Sequence, residues 1–487
     1  MGNSELRHRT ARGLLWGGIG SGTMQLLNLL FGIFLSRLLS PDDYGVIGAL
    51  TIFSATAGLF AESGFTYAIA NKKTVTHDDY NSVFWFNIAI GSAFYLILYF
   101  LAPVIAGFYD KPEMTQRMIP LARFLFLGFL VGSIGTAPSA YFFRNLNVKI
   151  KSQIQIAAII VSGATGVVCA LNGWGYWGIA VQTVLYASVN TLLLWISVPW
   201  HPTLTFKWHP IAEMLPFSSR QLFTSLFTHI NNNFFSMLLG RFYSLKTTGF
   251  YTQGSKWTTM GYSTITGMLN SVALPVMREA SQDNNERVCR VFIKMLRFTA
   301  FISFPAMFGL GIIATELITL TVTDKWLQCV PVMQILCVWG AFAPIATLYA
   351  NLFNSINRPN IYMWNTISLG LTQLLSVIIS YPYGLNVMLM VYTAVNIMWL
   401  GVWQFFAHRY VKLPLLSVLT GIAPYMIIAL AVMALTYLAT MAITRPLLSL
   451  LAKVTMAALM YCLTMKIFKS VIFSEVLDYF FKHKNYD

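Results

Sequence analysis

Charge is the scarcest property of this chain. Asp, Glu, Lys and Arg make up 10% of its 487 residues, where a soluble globular domain carries about a quarter. So little ionisable surface excludes a water-solvated exterior, and with 56% hydrophobic residues the solvent must be lipid. Carboxylates are rarer than cations, 17 against 32, and none stands deep within an apolar run; Glu62 and Glu316 lie at the ends of such runs. Proton or sodium coupling through a buried acid therefore finds no residue in the sequence to rest on.

Five cysteines, an odd number with no C-x-x-C pair, give neither a disulfide framework nor a zinc site. The chain contains no G-x-x-x-x-G-K-[ST], H-E-x-x-H or G-x-S-x-G sequence, so no cofactor, no metal and no catalytic residue is indicated. Asp42-Asp43 and Asp78-Asp79 are short acidic pairs that turn and cap chemistry explains better than metal ligation. Every connection is short, the longest being 63–81, 199–216 and 277–295, so no extramembrane domain houses soluble chemistry.

What is present is a succession of apolar windows long enough to cross a bilayer, which takes about 20 residues. They number about fourteen, from 14–39 to 447–468. The first follows Arg7, Arg9 and Arg12 and so imitates a secretory signal, but it runs on to Leu39, too long for a signal core, and reads as a span. The net charge of +15 is scattered in ones and twos with no continuous basic face. That speaks against nucleic acid and for the anionic cytoplasmic leaflet, with membrane lipid as a partner. With the N-terminus inside, cytoplasmic segments hold about three times as many Lys and Arg as the outer ones, which places both termini in the cytoplasm.

Asn28 to Val46 reads NLLFGIFLSRLLSPDDYGV and Asn232 to Phe250 reads NNFFSMLLGRFYSLKTTGF. At one constant offset Asn28 matches Asn232, Arg37 matches Arg241, Ser40 matches Ser244 and Gly45 matches Gly249. Two such units of like orientation are a transporter arrangement, with the substrate path at the repeat interface. The expected organisation is an N-lobe of spans 1–6 (1–200), a cytoplasmic linker (201–216), a C-lobe of spans 7–12 (217–410), two accessory spans (411–468) and a cytoplasmic tail (469–487).

Polar residues recur at helical spacing on the first two spans of each unit. Span 1 carries Ser21, Gln25, Asn28, Gly32 and Ser36; span 2 carries Thr51, Ser54, Gly58 and Glu62. Span 7 carries Arg220, Thr224, Thr228 and Asn231, flanked by His229 and Asn232, and span 8 carries Lys256, Thr259, Ser263, Thr266 and Asn270. Such stripes serve either as close-packing faces or as the wall of a hydrated cavity. Four of them at repeat-equivalent positions favour the cavity.

Arg123, Arg220 and Lys256 stand within spans, where a cation costs about 2.5 to 3.5 kcal/mol. Arg123 and Arg220 are near enough to span ends to snorkel, whereas Lys256 lies on the polar stripe. A cationic wet cavity suits a diphosphate head group through charge-assisted hydrogen bonds. His229 is either a proton-coupling site or a hydrogen-bonded lumen residue.

Ser36-Arg37-Leu38-Leu39-Ser40-Pro41-Asp42-Asp43-Tyr44-Gly45, between two apolar spans, resembles the "aRlLspeefG" junction of bacterial polysaccharide flippases in the multidrug/oligosaccharidyl-lipid/polysaccharide exporter superfamily. Glu62-Ser63-Gly64-Phe65 resembles the close of that family's second helix, Gly249-Phe250-Tyr251 to Pro275 its eighth, and Asp324-Lys325-Trp326 to Leu336 its "g-e-k-W…p…q-l-L" segment. The likeness is closest to the colanic-acid type and covers essentially the whole chain.

The resemblance implies an all-α, MATE-like polytopic fold of two six-helix lobes plus two helices. It implies alternating access in the bacterial cytoplasmic membrane, an undecaprenyl-diphosphate-linked oligosaccharide as cargo and a polysaccharide polymerase as a partner. Its diphosphate-binding cations map to Lys256, Arg220 and Arg123, and the chain departs from the family in how few central cations it has. Two rival readings stand beside it. One is a drug or lipid II exporter of the same superfamily; the other is an integral membrane polymerase or ligase.

Overall fold

The computed structural model describes residues 3–62, 64–72, 74–110, 112–145, 147–468, 470 and 472–475. Among them there is no strand. The helices are α1 (Asn3–Leu38), α2 (Pro41–Glu62), the short α3 (Phe65–Asn71), α4 (His77–Phe108), α5 (Pro112–Arg144), α6 (Val148–Leu171), α7 (Trp177–Ser197) and α8 (Trp208–Phe242). They continue with α9 (Leu245–Asp283), α10 (Asn285–Ile312), the short α11 (Ala314–Thr321), α12 (Val330–Ser355), α13 (Pro359–Ser380), α14 (Leu385–Val411), α15 (Leu415–Thr440) and α16 (Pro446–Ile467). All but α3 and α11 have 21 residues or more, enough at about 1.5 Å per residue to cross a hydrocarbon layer of about 30 Å. Ten helices among the described residues meet both the length and the apolarity needed to span a membrane. Helix is the form such sequences take because lipid offers no partner for an open backbone amide. The chain is a multi-pass, all-helical membrane protein.

Two compact units divide at Gly249/Phe250. In the first, α1 packs on α6, α6 on α7, α5 on α4 and α7, and α8 along α2 with further contact to α3 and α4. In the second, α10 is central, packing on α12 and α15, while α14 joins α12 to α13 and α16 joins α15 to α11.

Both helix starts that the internal repeat singles out are built alike. Ser40 donates through Oγ to the Asp43 carboxylate (2.7 Å) and accepts from the Asp43 amide (3.3 Å), closing the first turn of α2. Ser244 accepts from the Thr247 amide (3.1 Å) at the start of α9. These are N-caps, satisfying amides that a helix leaves without a partner. The two starts also touch one another reciprocally. A Cβ on Gly45 would strike the Leu245 carbonyl, and one on Gly249 would strike the Pro41 carbonyl. Beside them Arg241 donates to the Phe108 carbonyl (2.6 Å) at the end of α4, where the helix dipole favours a cation.

α8 begins at Trp208, well before the apolar window that opens at 217. Its extra turns are amphipathic: Ile211 and Met214 are buried with Phe65, Ile69 and Trp200. The stretch before it is docked rather than loose. Trp85 Nε1 donates to the Thr203 carbonyl (2.7 Å), the Thr203 amide to Asn81 Oδ1 (2.9 Å), Asn81 Nδ2 to Thr205, and Trp200 Nε1 to His77 Nδ1 (3.0 Å). Lys207 pairs with Asp78 (2.6 Å), and Lys72 bridges Asp79 (2.8 Å) and Glu213 (2.7 Å). Burial pulls the Lys72 ammonium down, but its bonds to Asp79 and Glu213 outweigh that and leave its pKa raised. The acidic pair Asp78-Asp79 thus works as a cap, Asp79 closing a capping box with Thr76, and as an anchor.

Candidate functional site

The polar stripe of α1 divides along its length. At its C-terminal end Gly32 and Ser36 are buried, with Ser36 Oγ donating to the Gly32 carbonyl (2.7 Å) and sharing a hydrogen bond with Tyr44 OH (2.9 Å). That end is a packing face. Toward its N-terminus Ser21 and Asn28 are exposed and Gln25 is half-buried, although Leu26 and Leu30 beside them are exposed as well. On α2, Thr51 returns its hydroxyl to the Ile47 carbonyl (2.9 Å), which neutralises it within its own helix. The side chains of Glu62, Arg220 and Asn232 lie outside the described residues, as do those of Thr224 and Thr228. On α8, His229 and Asn231 are half-buried, and the His229 carbonyl accepts from Asn233 Nδ2 (2.9 Å).

α9 carries the most open stripe. Thr259 and Asn270 are exposed, and Lys256, Ser263 and Thr266 are half-buried. Asn270 accepts from Asn351 Nδ2 of α12 (3.0 Å), and Ser263 returns its hydroxyl to the Met260 carbonyl (3.3 Å). Lys256 has no hydrogen-bond or ion-pair partner among the described residues. Two buried polar atoms, Thr266 Oγ1 on this stripe and Trp257 Nε1 in the residue after Lys256, also lack partners among the described residues. Unmet donors at membrane depth are costly unless water or a ligand satisfies them.

Arg123 is placed elsewhere. Its guanidinium lies 4.2 Å from the Tyr99 ring centroid and donates to the Tyr99 carbonyl (3.3 Å), so α4 satisfies it. Lys453, the remaining cation inside a span, binds Glu316 of α11 and donates to the Ile312 carbonyl (3.1 Å). Ser449 donates to the same carboxylate (2.7 Å). The pair is 7% and 12% exposed. Reading the spans one at a time missed this partnership. Its only trace in the sequence is that each residue is a lone charge of opposite sign near the end of an apolar stretch. Other polar residues inside spans also serve packing: Gln373 donates to Asn396 (2.8 Å) and Tyr349 to Gln404 (2.8 Å). No cluster of metal-ligating side chains occurs among the described residues.

The arrangement is a helical membrane scaffold in which Lys256, half-buried on a polar helix face, has no partner among the described residues. Residues 34–331 match the family described as "Polysaccharide biosynthesis protein". The chain belongs to this family.

Among the relatives of this family member is an "Uncharacterized membrane protein in cps region" of Klebsiella pneumoniae, 27% identical over 71% of each chain. Another is the "Teichuronic acid biosynthesis protein TuaB" of Bacillus subtilis, 24% identical over 67% of each. A third is the "Lipopolysaccharide biosynthesis protein WzxC" of Escherichia coli, 22% identical over 73% of this chain and 72% of that one. The fold is similar to that of lipid II flippase MurJ in an inward closed conformation, with TM-score 0.73, 15% identity, and 95% of this chain and 100% of that one covered. It is also similar to that of an inward-facing multidrug resistance MATE transporter of the MOP superfamily, with TM-score 0.67, 17% identity, and 80% and 94% covered. The expected MATE-like helical architecture is therefore the observed one.

Proposed function

We propose that this polysaccharide-biosynthesis family member is a flippase for undecaprenyl-diphosphate-linked oligosaccharide units. It would lie in the bacterial cytoplasmic membrane with fourteen spans and both termini inside. The observation that carries the reading is Lys256: a cation with no partner among the described residues, on a stripe of exposed and half-buried hydroxyls and amides, beside buried donors that no described residue satisfies. An ammonium in that setting is suited to a phosphate oxygen, and the neighbouring Thr259, Ser263 and Asn270 to sugar hydroxyls. The open N-terminal part of the α1 stripe, Ser21, Gln25 and Asn28, offers the same kind of surface, as do His229 and Asn231 on α8. Arg220, Asn232 and Glu62 stand on the same stripes by sequence, and the likeness to WzxC and TuaB supports the cargo class.

The polyisoprenyl chain would stay in lipid while the head group follows the polar faces. No bond is made or broken, and the energy supplied to the protein drives a change of access rather than chemistry. Arg123, held by Tyr99, has a structural part in this account. The unit delivered outside would feed a membrane polymerase. Export of cationic drugs fits less well, because the buried carboxylate Glu316 is already engaged by Lys453 and Ser449.

The test is complementation of a deletion strain with Lys256→Ala and Lys256→Arg at matched membrane levels. Surface polysaccharide should fall with Ala, lipid-linked units should accumulate inside, and Arg should restore much of the loss. Full activity of the Ala variant would remove Lys256 from the mechanism.

A further inference from the structure

In the second compact unit two cavities share a wall. One, of about 540 Å³, lies between α10, α15, α16 and Ser470, Ile472 and Glu475, and its rim carries Arg290, Lys294 and Arg297. The other, of about 530 Å³, runs between α9 and α10 along Met268, Val272, Val276 and Phe298. Lys294, Ile472 and Glu475 border both, so a charged mouth leads directly into an apolar trough.

The three cations recur at i, i+4 and i+7 and so share one face of α10. All three are exposed. Lys294 is tied to Glu475 (2.9 Å). Arg290 and Arg297 have no ion pair among the described residues, which leaves two guanidinium groups uncompensated at the mouth. Arg297 runs past Gly421 of α15, where a Cβ would stand at ordinary contact distance from Arg297 Cγ (3.6 Å), so the stem lies along α15. In the trough Met268 is 60% and Val272 51% exposed, apolar surface on helices that lie in lipid.

We propose that the two cavities together bind one anionic glycerophospholipid of the surrounding bilayer, its phosphate against Arg290 and Arg297 and an acyl chain in the trough between α9 and α10. Charge complementarity selects the occupant. A zwitterionic lipid brings no net charge to match two guanidiniums, and a free phosphate leaves the trough empty. The bound lipid would join α10, α15 and the C-terminal segment to α9, the helix that bears Lys256. This site is distinct from the stripe assigned to the cargo and holds whatever the cargo is.

The experiment is thermal unfolding of the full-length protein in neutral detergent, with phosphatidylglycerol, phosphatidylcholine, undecaprenyl diphosphate or inorganic pyrophosphate as separate additions. Phosphatidylglycerol should raise Tm by on the order of 2–4 °C at saturating excess, and phosphatidylcholine and pyrophosphate should not. Arg290→Gln/Arg297→Gln should keep the lipid-free Tm and lose that rise. Val276→Trp, which fills the trough with both arginines intact, should lose it too. Either variant retaining the full rise overturns the proposal. So does a rise that only undecaprenyl diphosphate produces and that needs both arginines, because the cavities would then belong to the cargo.

Discussion

Gly45 and Gly249 hold equivalent places in the internal repeat and meet equivalent obstacles: a Cβ on the first would strike the Leu245 carbonyl and a Cβ on the second the Pro41 carbonyl. Pro41 and Leu245 are themselves the first residues of α2 and α9. The starts of these two helices therefore cross at backbone contact, each against the partner's first residue, and the same offset that aligns the glycines aligns those residues. Only glycine permits so close an approach without displacing backbone.

Gly45→Ala and Gly249→Ala should each force the crossing apart. Overpacking of this kind costs about 1–3 kcal/mol. In a reconstituted or cell-based assay each variant should reach the membrane at near-normal levels yet lose most transport, because the state with the two helix starts in contact is the one disfavoured. Normal transport by both variants would show that the crossing is not part of the working cycle.

A second expectation concerns helix α16. Removing one member of the Lys453–Glu316 pair leaves the other buried without its counter-charge, a loss on the order of 3–5 kcal/mol. Lys453→Met and Glu316→Leu alone should each lower the Tm of the detergent-solubilised protein sharply. The double substitution should recover most of the loss, since an apolar pair of similar size needs no compensation. If the double variant is as unstable as the sum of the singles, the pair does not act as a unit.

The docked stretch ahead of α8 gives a third. Asn81 binds this segment through both ends of its amide, to the Thr203 amide and to Thr205. Asn81→Ala should free residues 201–207 and raise the rate of limited proteolysis there severalfold, while Lys207→Ala, which removes only an exposed ion pair, should change it little. Equal protection in wild type and Asn81→Ala would mean the segment is held by the buried Trp200, Ile211 and Met214 alone.

Much of this was legible in advance where the physics is local. Composition and window length reveal the membrane helices, and the acidic pairs Asp42-Asp43 and Asp78-Asp79 read as cap chemistry because capping depends on residues three apart. The offset that pairs Gly45 with Gly249 marks the repeat. What stayed hidden depends on distant partners. Nothing near Lys453 names Glu316, and nothing near Asn81 names Thr203. The stripe of α1 could not be divided by spacing into a buried C-terminal end and an open N-terminal one, because small polar residues serve both uses. The sequence sets Arg123, near a span end, apart from Lys256 on its stripe, but nothing near Arg123 names Tyr99 as its partner.

The most direct test is transbilayer movement itself. The purified protein is placed in vesicles with a fluorescent oligosaccharide on undecaprenyl diphosphate, and the fraction reached by a membrane-impermeant quencher is followed in time. Wild-type protein should make both leaflets accessible, and Lys256→Ala should slow the exchange by about tenfold or more, the loss of one charge-assisted contact. Movement no faster than in protein-free vesicles would contradict the account.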